Sequence, residues 1–349
     1  MKNLNPRKSL EKVPLYTEEH HLPVNLADNT NVWGANPAVA RAIASFDPES
    51  VHRYPSLLSQ SLRGDLAERL GVPAEGIVTG NGSNELIDLL MRAFLDPGDT
   101  LAYHWPTFSM VPIFGGQAGA TLAPVPLQPW WKLDVPALLA AEGKITFVCR
   151  PNNPTGNAFP RADVERVIEE APGIVVVDEA YVEFCGGSFV EDLHRYDNLI
   201  VLRTFSKAYG LAAFRIGYAA TSPKLAQAIT KVRAPYRLNA LSERVAVEAL
   251  REEGWLQWVV EEVNRERPRL ISALTSRGFK VFPSDANFVL AVPPVDPLAL
   301  TKALHGKGIA IREFKGDLSP YLRITVAPPP VRDRLLTAID ECLKAGVGQ

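Results

Sequence analysis

The run Ile174-Val175-Val176-Val177-Asp178-Glu179-Ala180-Tyr181 decides the fold. An apolar, β-branched stretch stops abruptly at a carboxylate, as a strand buried on both faces does where it meets a polar edge. Two similar runs, 145–148 and 199–202, lie on either side of it in the chain. Helical stretches such as 162–170 separate them, which predicts an α/β fold with a mainly parallel sheet covered on both faces. Leu58, Leu62, Leu66 and Leu70 recur at helical spacing. Leu86, Ile87, Leu90 and Phe94 do so again after the loop Gly80-Asn81-Gly82-Ser83-Asn84.

Beyond Pro235 the texture changes. A helical region over 241–277 carries Trp255, Trp258, Val259 and Val263, and short strands are expected around 279–282, 287–292, 309–312 and 321–326. A last helix places Val331, Leu335, Ile339 and Leu343 on one face. The expected division is an extended N-terminal arm (1–35), a large domain (36–236) and a smaller α+β domain (237–349).

The 349 residues are 46% hydrophobic, enough for a substantial core. A formal net charge of -2, with no basic run, argues against nucleic acid or an anionic membrane as partner. Cys149, Cys185 and Cys342 are odd in number and far apart, with no CxxC pair to suggest zinc or a redox centre. No metal site is expected. The N-terminus lacks a signal-peptide core, and no apolar run approaches the roughly 18 residues that cross a bilayer. A soluble, cytoplasmic protein is the expectation.

Ligands of parallel α/β sheets gather at the carboxyl ends of the strands. Gly80 to Glu85 joins a strand to a helix start, so it can form an anion cup or simply a glycine turn capped by Ser83 or Asn84. Pro151-Asn152-Asn153-Pro154-Thr155-Gly156 can be a turn, or a rigid loop offering the Asn153 amide to a bound ring. Asp178, closing a buried strand, needs a cationic partner unless it caps a helix. Lys207, in Thr204-Phe205-Ser206-Lys207, follows an apolar strand where desolvation lowers an amine's pKa. A Schiff-base lysine, a carboxylate for a pyridinium nitrogen and an anion cup with Arg215 are together what pyridoxal phosphate requires.

With these motifs in order, the chain resembles the fold-type-I pyridoxal-phosphate aminotransferases, most of all their histidinol-phosphate branch. The likeness runs from about Asn25 to Lys344 through NTN-x-WG, RYP, GNGSNE, WPTF, PNNPTG, DEAY, TFSKAYGL, R-IGY, NF and LRIT. It implies a large domain with a seven-stranded, mainly parallel sheet, and a smaller α+β domain. It also implies that Lys207 binds the cofactor and moves the substrate proton, while Asp178 pairs with the ring nitrogen. Asn153 and Tyr181 then hydrogen-bond the ring hydroxyl oxygen, and Phe108 lies on the ring face. Gly82, Ser83, Asn84, Ser206 and Arg215 cradle the phosphate, joined by Tyr54 from the partner in a homodimer. Arg323 and Arg312 grip the substrate, an amino donor or a 2-oxo acid, with Trp33 where relatives carry an aromatic hydroxyl.

Arg150, Ala213-Phe214 and Arg237 depart from the family pattern. Aromatic amino-acid transamination and threonine-phosphate decarboxylation are alternatives on the same fold. A regulator built on this domain would need a DNA-binding extension that the short arm does not provide. A nicotinamide oxidoreductase would rest on the glycine loop alone.

Overall fold

The computed structural model describes residues 5–11, 13 and 22–348. The strands in chain order are β1 (Val24–Leu26), β2 (Ile77–Gly80), β3 (Thr100–Trp105), β4 (Thr121–Pro126), β5 (Ile145–Cys149) and β6 (Ile174–Asp178). They continue with β7 (Leu199–Thr204), β8 (Gly217–Thr221), β9 (Lys280–Val281), β10 (Phe288–Val292), β11 (Ile309–Glu313) and β12 (Leu322–Thr325). A seven-stranded sheet has the order β2-β8-β7-β6-β5-β3-β4. Its pairings are parallel except those of β8, which runs antiparallel to both β2 and β7. Two antiparallel steps restore direction, so β2, β3, β5, β6 and β7 all end at one edge.

Alternation along the central strands explains why helices cover both faces. Phe147, Val176, Ile200 and Leu202 pack with Leu86, Ile87, Leu90 and Met91 from the helix Ser83–Phe94. Val148, Val175, Val177 and Val201 face the other way, against Val164, Val167 and Ile168 of the helix Arg161–Glu170.

The second sheet has the order β1-β11-β12-β10-β9. Part of the expected extended arm is therefore a strand, with Val24 and Leu26 in parallel register with Ile309 and Ile311. Residues 1–4, 12 and 14–21 of that arm lie outside the described residues. The third core cluster joins Leu26, Ile311, Leu322 and Ile324 of this sheet to Tyr181, Phe205 and Ala208 beside the first. No helix among the described residues is long and apolar enough to cross a membrane.

Two expected helices change shape. The 58–70 periodicity is helical only over Gln60–Leu70, because Ser59 takes φ 53, outside the helical basin. The Glu243 carboxylate caps that helix instead, accepting from the amide of Ser61 at 3.2 Å. The 241–277 region is two helices, Ala240–Leu250 and Glu253–Thr275, broken at residues 251 and 252.

Ile200 is wholly buried on a central strand. Ile200→Ala should cost about 2–5 kcal/mol, read as a lower urea midpoint. A change below about 0.5 kcal/mol would contradict close packing there.

Candidate active site

The sheet edge where β3, β5, β6 and β7 end carries Phe108, Asn153, Tyr181, Ser206 and Lys207 on the loops that follow, with Asp178 closing β6. Lys207 comes three residues after β7, on a turn begun by the Thr204 hydroxyl, which accepts the Ser206 amide at 3.1 Å. Its Nζ donates to the Asp28 carbonyl at 2.9 Å and lies 5.7 Å from the Tyr181 ring centre. Burial of the amine, reinforced by the nearby Arg323 and Arg215 charges, pushes its pKa down to about 7. Such an amine is substantially neutral, and nucleophilic, near physiological pH.

Asp178, only 2% exposed, ends β6. Its Oδ1 accepts the Ala180 amide at 3.1 Å, an Asx-type turn instead of the helix cap that the sequence also allowed. Among the described residues it makes no ion pair. Burial pushes its pKa up to about 7, opposed by the Ala180 amide, reinforced by Glu179 and relieved slightly by Lys207.

Tyr181 and Asn153 meet, with the Asn153 amide 3.5 Å from the phenolic oxygen. Arg323 donates through Nη1 to the Asn153 side-chain oxygen and through Nη2 to the Ala27 carbonyl. The Phe288 ring supports its guanidinium at 5.4 Å. Arg312 sits opposite Arg323 in the β11–β12 register, and directly opposed residues of an antiparallel pair share one face.

The glycine loop begins the helix Ser83–Phe94 without any side-chain cap, so neither Ser83 nor Asn84 satisfies the first-turn amides. Arg215 stands beside them and donates to Ser206 Oγ at 3.4 Å. Gly82 takes φ 84, and a Cβ there would lie 2.4 Å from Arg215 Nη2. The loop therefore needs glycine twice over, for its backbone and for its guanidinium neighbour. Free helix-start amides, a hydroxyl and a guanidinium make an anion cradle.

Phe108 is half-buried against the core under the sheet. Tyr54 is 81% exposed and stacks on Tyr236, ring centres 4.7 Å apart. Trp33 packs edge-on to Trp258, and its buried indole nitrogen has no partner among the described residues. The two departing arginines have structural partners. Arg150 donates to the Phe159 and Gly187 carbonyls, and Arg237 pairs with Glu85.

Sequence reasoning passed over three residues. Asn29 donates to the Tyr181 hydroxyl at 3.2 Å, and Asp28 supplies the carbonyl for Lys207. His104 is buried and held neutral, its pKa pushed down to about 3. Its Nε2 accepts the Cys149 amide at 3.1 Å, so Nδ1 carries the proton and donates to the Pro106 carbonyl, also at 3.1 Å. That bond ties the end of β3 to the end of β5. A histidine in an apolar strand gives no such signal.

The residues present fit pyridoxal phosphate. A neutral amine lies near a buried carboxylate that lacks a cation, and an anion cradle with an arginine completes the set.

The Asp178 shift sets a pH dependence. A folded-state pKa raised from 3.8 to about 7 gives stability that is full below pH 4 and lost as pH rises through 7. Asp178→Asn should therefore stabilise the ligand-free protein by about 2–4 kcal/mol at pH 8, with the gain shrinking toward pH 5. Denaturant midpoints at both pH values check this, and equal effects at both would contradict it.

The class I and II aminotransferase family matches residues 23–339. The histidinol-phosphate aminotransferase of Caldanaerobacter subterraneus subsp. tengcongensis is 41% identical over 84% of this chain and 85% of its own. Histidinol-phosphate aminotransferase 1 of Trichormus variabilis is 32% identical over 97% of this chain and 99% of its own. Among solved structures, histidinol-phosphate aminotransferase from Sinorhizobium meliloti, in complex with pyridoxal-5'-phosphate, aligns with a TM-score of 0.87 at 27% identity. That alignment covers 93% of this chain and 92% of the other. The fold, the motifs and these likenesses agree, and the chain belongs to the class I and II aminotransferases.

Proposed function

We propose that the chain is a pyridoxal-phosphate-dependent aminotransferase of histidine biosynthesis, exchanging the amino group of histidinol phosphate with 2-oxoglutarate. One observation carries the chemistry: Lys207, its amine pKa pushed down to about 7 by burial, shares its site with a buried Asp178 that makes no ion pair among the described residues. The names of relatives at 41% and 32% identity support the substrate.

When bound, the cofactor supplies an electron sink for the charge left on the substrate Cα as its proton departs. Lys207 would hold the cofactor, then, as a free amine, take that proton and return it. Asp178 would hold a proton on the ring nitrogen, satisfying the charge that its own burial leaves uncompensated. Asn153 and Tyr181 would fix the ring oxygen, and Phe108 the ring face. Gly82, Ser83, Asn84, Ser206 and Arg215 would hold the phosphate.

Arg323 and Arg312 would receive the substrate anion, a phosphate in one half-reaction and the carboxylates of 2-oxoglutarate in the other. Two guanidiniums on one sheet face suit both, because each presents a planar fork to oxygen pairs. Trp33 would add its unpartnered indole N–H. The outward, stacked Tyr54 supports a homodimer in which it completes the partner's cradle, and exposed Ile43, Val51 and Leu57 give apolar surface for an interface. We place the enzyme in the cytoplasm.

The purified protein with added cofactor should be yellow, and borohydride should bleach it. Lys207→Ala should lose the band. Histidinol phosphate should drive glutamate formation from 2-oxoglutarate faster than phenylalanine or tyrosine, with no CO₂ released. Release of CO₂ from threonine phosphate, or a faster aromatic donor, would contradict the substrate assignment.

A further inference from the structure

Asn29 touches Tyr181 from a side of the site that no cofactor motif explains. Both residues are buried, at 1% and 3% exposure. The Asn29 amide nitrogen lies 3.2 Å from the phenolic oxygen, and that of Asn153 lies 3.5 Å from it. Two N–H donors thus converge on one hydroxyl, and neither uses its proton. Among the described residues, the hydroxyl makes no hydrogen bond as a donor. Its proton is left for a group bound in the site.

The backbone holds Asn29 firmly. Its N–H donates to Thr325 Oγ1 at 3.2 Å, and its carbonyl accepts from Asn287 Nδ2 at 3.1 Å. The Thr325 hydroxyl donates in turn to the Leu26 carbonyl at 2.8 Å. Asn29 takes φ 52, a left-handed conformation that asparagine and glycine tolerate and most residues do not. Its amide is therefore aimed by Asn287, by Thr325 of β12 and by the arm together, and not by its own rotamer alone.

A hydroxyl that accepts hydrogen bonds becomes a stronger donor, because bonds in a chain polarise one another. We propose that Asn29 is a positioning residue, acting through the Tyr181 hydroxyl to strengthen its donation to the cofactor's ring oxygen. The proposal deepens the aminotransferase reading and rests on it. Burial keeps Tyr181 protonated, its pKa pushed up to about 12, so the phenol stays a donor throughout the working pH range. A donor aimed at the ring oxygen favours its anionic form and so lowers the pH at which the Lys207-linked chromophore titrates.

The test is a pH titration of the visible band in the holoenzyme, for wild type, Asn29→Gly and Asn29→Asp, each also combined with Tyr181→Phe. Glycine accepts the left-handed backbone and removes the amide. Aspartate keeps the shape but replaces the donor with an acceptor that draws the phenolic proton away. Asn29→Gly should raise the band's pKa by about 0.5–1 unit, and Asn29→Asp by at least as much. Neither should shift it further in Tyr181→Phe.

An unchanged pKa in both single variants would overturn the proposal. So would equal shifts with and without the Tyr181 hydroxyl, which would make Asn29 a structural support only. A wild-type holoenzyme with no visible band would overturn the aminotransferase reading, and this inference with it. A band that is present but indifferent to Asn29 overturns this inference alone.

Discussion

Asp178 is held at the end of β6, buried, its carboxylate accepting one backbone amide, that of Ala180, and no other donor among the described residues. Leaving a carboxylate there without a cation is costly, and its raised pKa measures that cost. Lys207 carries the complementary strain, an ammonium made unfavourable by burial and by two arginines. Each group is uncomfortable alone, and the proposed attachment of a cationic ring to the lysine would relieve both. The sheet makes this possible, because only a strand buried on both faces delivers a carboxylate into so dry a place.

The second sheet takes part through the segment that follows β1. Ala27 accepts from Arg323, Asp28 from Lys207, and Asn29 donates to Tyr181. Asn31 and Asn36 then donate to the carbonyls of Ala208 and Tyr209, just after the lysine. A stretch that begins in one sheet thus clamps the loop that leaves the other. The Asp285 carboxylate accepts the Ala158 amide at 2.8 Å and ties the chain after the Asn153 loop to the segment that leads into β10. Arg323 is therefore tied by hydrogen bonds to the segment and the loop that surround Lys207 and Tyr181.

Much of this was readable beforehand, for definite reasons. β-Branched runs ending in Asp178 and before Lys207 announced a buried parallel sheet, since they are too short for helices and lack the alternation of a half-exposed strand. The family order of motifs then paired Asn153 with Tyr181 and Gly82 with Arg215, and those pairs do meet in space. Antiparallel β8 was not readable, because Gly217 to Thr221 is short and carries small residues that match no template. Nor was the role of 24–36. Weak periodicity made that segment look like a plain arm, whereas its polar side chains bond the backbone of distant loops. Asn29 and His104 act through contacts across 152 and 45 residues of chain, which spacing does not reveal.

The central claim is that Lys207 carries the cofactor. Reduction of the holoenzyme with borohydride, proteolysis and peptide mass spectrometry test it most directly. A phosphopyridoxyl group should appear on the peptide containing Lys207 and on no other lysine. The same mass added elsewhere, or no adduct on Lys207, would contradict it.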